Sequence, residues 1–197
     1  MSDTANITPE VDPNKGAGLF LLELVPDDWE MPEDPKQENF YIQTLKATDH
    51  PEEYPILMKD FENHVGTFVP DPNADSIKQR MNRDNYTAEV HSAMLGWHET
   101  CHILRTTFTW IVRDNAGKYR GAILMLPSKK LAHDAEVYLW WVRAGQDNSD
   151  GLEKEVWDFV QKWVRDEFPF ENEAWPGRST SWDEWKALPG GRTYGSR

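Results

Sequence analysis

From residue 39 onward, apolar and polar positions fall into two rhythms that mark out the elements of one folded body. Residues 39–46 alternate with the period of two expected of a half-buried strand. His50-Pro51-Glu52-Glu53 opens a helix: proline sits in the first turn, where a missing N–H does no harm, and the acids lie at the positive helix end. The pattern carries that helix to about His64, and residues 66–73 read as a proline-containing loop. Residues 76–83 and 87–105 read as helical, with Val90, Met94, Trp97, Cys101 and Leu104 spaced as a buried stripe. Residues 107–113 and 118–126 read as strands joined by the hairpin signal Asp114-Asn115-Ala116-Gly117. A third run, residues 134–143, sends Trp140 and Trp141 to opposite faces. Residues 151–167 place Leu152, Val156, Phe159, Val160 and Trp163 on one helical stripe. A strand near 171–175, a turn at Pro176-Gly177 and a short helix over 181–188 close the series. This order predicts an α/β (α+β) domain with a central, mainly antiparallel mixed sheet flanked by helices.

Composition adds the boundaries. The 197 residues support one domain. Residues 1–38 hold ten acids, two lysines and five prolines, the makeup of an acidic, proline-rich arm with partial order. Its apolar residues 19–24 are suited to docking on the main body. Residues 39–188 form the domain, and the glycine-rich 189–197 a flexible tail. A net charge of -13 with scattered basic residues excludes nucleic acid as a partner and favours cationic small molecules or basic peptides. No apolar run is long enough to span a membrane, and the acidic start lacks a signal peptide. The single Cys101, on the apolar stripe, excludes an internal disulfide and fits the cytoplasm. Exposed strand edges and tryptophan-rich surfaces favour a homodimer.

Two constellations carry chemistry. Glu136 lies between apolar neighbours in the run 134–143, a setting that can raise a carboxyl toward neutrality and suit it to act as a base. Tyr138 shares its face. The structural alternative pairs Glu136 with Arg113 or Arg120. After this run, Gln146-Asp147-Asn148-Ser149-Asp150-Gly151 leads into a helix, and such an N-terminus is suited to an anion. Asp150-Gly151-Leu152-Glu153 also fits a capping box in which Asp150 takes the helix amides. Separately, His98-Glu99-Thr100-Cys101-His102 has the H-E-x-x-H spacing of a zinc metalloprotease, without a third ligand in sequence.

The order of elements, with the hairpin over 107–126 and Ala135-Glu136-Val137 opening the next strand, resembles the GNAT superfamily of N-acetyltransferases over residues 39 to 185. The ending Pro176-Gly177-Arg178 with Trp182-Asp183-Glu184-Trp185 is similar to a GNAT-like subgroup. The resemblance implies a GNAT-like acyl-CoA N-acyltransferase fold whose fourth strand is splayed from its fifth. It implies acetyl-CoA as cosubstrate, with pantetheine on the backbone of Trp140, Trp141 and Val142. Gln146, Ser149 and Gly151 fall on the first, fourth and sixth positions of the Q/R-x-x-G-x-G/A pyrophosphate loop, with Arg143 nearby. Glu136, ten residues before Gln146, matches the general base; Tyr138 stands in for the acid, because residues 175–185 contain no tyrosine. Ser149 replaces a glycine, and Asp147 and Asp150 bring negative charge to the loop. The implied activity is acetyl transfer to a primary amine of a small molecule or peptide. The alternatives are a catalytically inactive GNAT-fold binding or regulatory module and, more remotely, the zinc metalloprotease through His98 and His102.

Overall fold

In the computed structural model, which describes residues 24–69 and 82–190, the strand-like runs assemble into one five-stranded sheet in sequence order. β1 (Phe40–Thr44), β2 (Phe108–Asp114), β3 (Tyr119–Pro127) and β4 (Ala135–Trp141) are successively antiparallel. β5 (Glu173–Ala174) is parallel to β4 and meets it only at Ala135 and Glu136. Parallel neighbours need a crossover, and the helix between β4 and β5 supplies it. Past Glu136 the two strands part, so the outer edge of β4 is left to other partners. This is the expected α/β class, a mainly antiparallel mixed sheet flanked by helices.

Each face of the sheet is covered. α4 (Leu152–Glu167) packs Leu152, Val156, Val160, Trp163 and Val164 against Trp110, Val137, Leu139 and Trp141. α1 (His50–Lys59), α2 (Phe61–Phe68) and α3 (Ala88–Ile103) cover the other face, over Ile111, Tyr119, Ala122, Trp140 and Val142. With helices on both sides, every residue of β4 is buried, which explains its nearly continuous apolar run. The pairing of β2 with β3 shifts between Val112 and Arg113, and Arg120 is the extra residue. α5 (Trp182–Ala187) closes the described chain, capped by a reciprocal Ser181–Glu184 box.

Two expectations are corrected, and the helix expected over 76–83 lies mostly outside the described residues. The helix expected over residues 50–64 is two helices, broken at Asp60, and the second runs on to Phe68 through part of the expected loop. Residues 83–85 form a short 3-10 turn; residues 70–81 lie outside the described residues. The buried face of α3 is turned from the expected stripe: Val90, Trp97 and Leu104 are 43%, 46% and 47% exposed, whereas His91, Leu95, Cys101 and His102 are buried. The reason is hydrogen bonding. The Thr109 amide donates to His102 Nδ1 at 3.3 Å, the Thr109 hydroxyl meets His98 Nδ1 at 3.2 Å, and His91 Nδ1 lies 2.9 Å from His50 Nδ1. Paired imidazoles can be buried in place of aliphatic groups.

Of residues 1–38, those described pack on the domain. Leu24 and Val25 enter the core, Trp29 Nε1 donates to the Glu167 carbonyl at 2.9 Å, and Arg105 binds the carbonyls of Pro26, Asp27 and Trp29. Residues 19–23 of the apolar segment and 191–197 of the tail lie outside the described residues.

Candidate functional site

The site begins where β4 leaves β5. The Val142 amide donates to Arg120 O in the ladder with β3 at 2.9 Å, so the alternate residues Leu139, Trp141 and Arg143 turn their backbone groups to the opposite edge. Side chains meet them there. Leu139 O accepts from Arg178 Nη2 at 3.2 Å and Trp141 O from Asn63 Nδ2 at 2.9 Å. The Arg143 and Ala144 amides donate to the two oxygens of Asp60 at 3.1 and 2.8 Å. A cleft of about 430 Å³ follows this edge, bounded by Asn63 and Thr67 of α2, Leu139, Arg143, Arg178 and Trp182. Of the three residues expected to present backbone groups, Trp141 faces the cleft edge, while Val142 faces β3.

Two guanidinium groups stand at the N-terminus of α4. Arg143 grips Glu153 with contacts of 2.6 and 2.8 Å, and Arg178 reaches the same carboxylate at 2.9 Å. Glu153 lies in the first turn, where the helix dipole favours an anion. Arg178 is aimed by the turn before it. Gly177 has φ 76°, and a Cβ there would come within 2.7 Å of the Trp182 indole, so only glycine fits.

The loop 146–151 bonds both to itself and to β3 and β4, with Gln146 Oε1 the one buried side-chain atom there without a partner among the described residues. Gln146 Nε2 donates to Tyr119 O at 2.8 Å. Asp147 accepts from the Ser149 amide and hydroxyl at 2.9 and 2.7 Å, and these hydrogen bonds hold its carboxyl below the ordinary range. Asn148 accepts from Trp141 Nε1 at 2.9 Å. Asp150 bridges Arg120 at 2.8 Å and the Leu152 amide at 3.1 Å. The helix cap is Gly151, in left-handed backbone at φ 74°, and Glu153 binds arginines instead of turning back as a capping box requires. Arg120, the bulged residue, lies over Trp141 and ties the loop to Asp114.

Glu136 and Tyr138 lie together on the α2 face of β4. Tyr138 Oη donates to Glu136 Oε2 at 2.7 Å, the Lys129 amide donates to Oε1 at 2.8 Å, and the Ser128 hydroxyl lies 3.4 Å from it. The structural alternative for Glu136 is corrected: Arg113 is paired with Glu52 at 2.7 Å and Arg120 with Asp150. The Tyr138 ring lies 6.4 Å from Trp182, which lines the cleft, and 5.6 Å from Phe68 of α2; Glu136 and Tyr138 are themselves buried behind the cleft wall. A carboxylate fixed by three donors, with a phenol in direct contact, can accept and pass on a proton.

The H-E-x-x-H residues are divided among structural tasks. His98 and His102 meet Thr109, and Glu99 accepts from the Ala47 amide at 2.9 Å. Among the described residues, no group of three metal-ligating side chains is placed to hold an ion. No helix among them is long and apolar enough to cross a membrane. Sequence reasoning missed Asp60 and the role of Arg178. Asp60 gave no signal, because three of its four donors lie about eighty residues away. Arg178 was marked only by the Pro-Gly turn before it.

The sequence matches no family model and no curated protein. Among solved structures it is similar to the ribosomal-protein-S5-alanine acetyltransferase from Vibrio fischeri, with TM-score 0.48 and 15% identity over 68% of this chain and 67% of that one. It is also similar to a ribosomal L7/L12 alpha-N-protein acetyltransferase (0.48, 10%, 72% and 70%). A third is the microcin C7 self-immunity acetyltransferase in complex with acetyl-CoA and AMP (0.48, 8%, 68% and 68%). At these identities the likeness is one of fold alone.

Proposed function

We propose that the protein is an acyl-CoA-dependent N-acetyltransferase that acts on a primary amine of a small molecule or peptide. The observation that carries this reading is the cleft along the freed edge of β4, with Arg143 and Arg178 together at the N-terminus of α4. The fit to acetyl-CoA is uneven but sufficient. Loop amides at Ser149 and Leu152 are engaged by Asp147 and Asp150, so this loop does not cradle a pyrophosphate in the usual way. Guanidinium groups suit phosphate oxygens, and Arg143 and Arg178 would hold them by exchanging partners with Glu153. Pantetheine along the edge would exchange with Arg178 and Asn63 at the Leu139 and Trp141 carbonyls.

Acetyl-CoA supplies the activated acetyl group. The chain supplies positioning and proton movement. In this reading Glu136 Oε2 takes the proton of the attacking amine. The proton of Tyr138 Oη, 2.7 Å away, goes to the departing sulfur, and Glu136 then restores Tyr138. The proton leaving nitrogen is balanced by the one arriving on sulfur.

A thermal shift with acetyl-CoA tests the reading: at a hundred times its Kd, a ligand stabilises by roughly 2.7 kcal/mol. Arg178→Ala should weaken acetyl-CoA at least about tenfold, since a hydrogen bond to a charged group contributes about 1.5–3 kcal/mol. Unchanged affinity would remove Arg178 from the phosphate site. Glu136→Gln should lower turnover about 100-fold or more while the shift persists; full retention of activity would take the base role from Glu136. The engaged loop amides favour one second reading, an inactive GNAT-fold module. It would show as no acetyl-CoA shift and no turnover on any amine.

A further inference from the structure

A second cavity, of about 180 Å³, lies on the other side of α2, between the sheet and the helices α1–α3. Asn63, Gly66 and Thr67 of α2 face the cleft, whereas His64 and Phe68 face this cavity. Its wall is mostly apolar, with Leu57, Phe68, Leu95 and Ala122 prominent. Set into that wall is Glu53, only 5% exposed. Its Oε1 accepts from Tyr119 Oη at 3.0 Å, and its Oε2 is buried with no hydrogen-bond partner among the described residues. His64 Nδ1 is in the same condition.

We propose that this cavity is a ligand site separate from the acyl-transfer cleft, taking a small organic cation: a primary ammonium on an apolar body about the size of one ring. The volume suits the body, since an apolar cavity of roughly 150 Å³ accepts benzene. The chemistry suits the head. An ionised carboxylate only accepts hydrogen bonds, and a neutral imidazole nitrogen without its hydrogen also accepts. An ammonium offers three donors and no acceptor, and its charge balances that of Glu53. The Phe68 and Tyr86 rings add faces that attract a cation. Among the described residues no lysine or arginine lines the cavity, so no permanent positive charge there would pair with an anion.

Proton balance follows from the same groups. Burial pushes the Glu53 carboxyl up to about 7; the Tyr119 hydrogen bond opposes this, Asp49 and Glu52 add to it, and Arg113 opposes it. Burial pushes His64 down to about 3, with His91 and His98 adding and Asp60 opposing, so it stays neutral. Burial and the Glu53 charge keep Tyr86 protonated. Near neutral pH a bound cation therefore draws a proton off Glu53.

The test is calorimetric titration of the full chain with benzylamine, benzyl alcohol and toluene near neutral pH. Benzylamine should bind at least about tenfold tighter than benzyl alcohol, the factor that one charge-assisted contact supplies. Its apparent enthalpy should differ between buffers of different ionisation enthalpy, because a proton is released. Glu53→Gln should abolish both the preference and the proton release, and Ala122→Leu should exclude all three ligands while the acetyl-CoA shift remains. Equal binding of amine and alcohol, no binding beyond water, or amine binding retained in Ala122→Leu would each overturn the proposal. Should Glu53→Gln fail to fold, equal affinity of benzylamine and benzyl alcohol for the unaltered protein would overturn it. Loss of acetyl-CoA binding alone leaves this site standing, so the two readings fail separately.

Discussion

Replacing Asp60 by Asn should destabilise the protein by about 1–3 kcal/mol, the cost of leaving a buried donor unpaired. Asp60 is 5% exposed at the junction of α1 and α2. Its carboxylate accepts from Trp140 Nε1 at 3.0 Å, Asn63 Nδ2 at 2.6 Å, the Arg143 amide at 3.1 Å and the Ala144 amide at 2.8 Å. Four donors converge on a group that has only acceptors. Asparagine keeps the shape but turns an NH2 toward those donors, and each buried donor left unpaired costs about 1–3 kcal/mol. Urea unfolding should show a lower midpoint with an unchanged slope. A loss below about 1 kcal/mol would show that the network is not fixed as described. Asp60 also joins α2 to the end of β4, so the cleft should loosen in the same variant.

Acid should produce the second large effect. Burial pushes His64 down to about 3 and His91 and His98 down to about 4, from an ordinary 6.5. A histidine with a depressed folded pKa contributes stability that is present above the unfolded value and lost as pH falls toward the folded one. The loss should therefore run from 6.5 down to between 3 and 4. At about 1.4 kcal/mol per pKa unit, a fall from 6.5 to about 3 gives His64 alone about 5 kcal/mol. Glu53 runs the other way. Raised from 4.5 to about 7, it favours the fold fully below 4.5 and loses that contribution as pH rises through 7. The folded protein should thus be most stable in mildly acidic to neutral solution and fail steeply on the acid side. His64→Leu should flatten the acid limb of a urea-midpoint profile; an unaltered limb would show that His64 is not the titrating group.

The strands and α4 were legible because the strands carry short apolar runs bounded by turn signals and α4 carries a single helical apolar stripe. α3 was legible as a helix but not in its rotation. Hydrophobic spacing selected Val90, Trp97 and Leu104, whereas the sheet selected histidines whose nitrogens find partners in Thr109 and His50. The break at Asp60 could not be read locally, since the chain is stopped there by donors from Trp140, Arg143 and Ala144. At the candidate site, Glu136 and Tyr138 could be placed together because residues two apart in a strand share a face. The charges at the mouth of the cleft could not. Arg178 meets Glu153 across 25 residues and a turn, and only the fold brings them together.

The embrace of Glu153 by Arg143 and Arg178 bears on how fast a polyanion reaches the cleft, apart from how tightly it is held. Glu153 balances one of the two positive charges, so only a reduced positive potential projects into solvent from that end of α4. At a distance a nucleotide meets chiefly the field of a chain with net charge -13, which repels it. Dissolved ions shorten the reach of that repulsion. Encounter with a phosphate-bearing cosubstrate would therefore quicken as ionic strength rises, and only the final exchange at the arginines would slow.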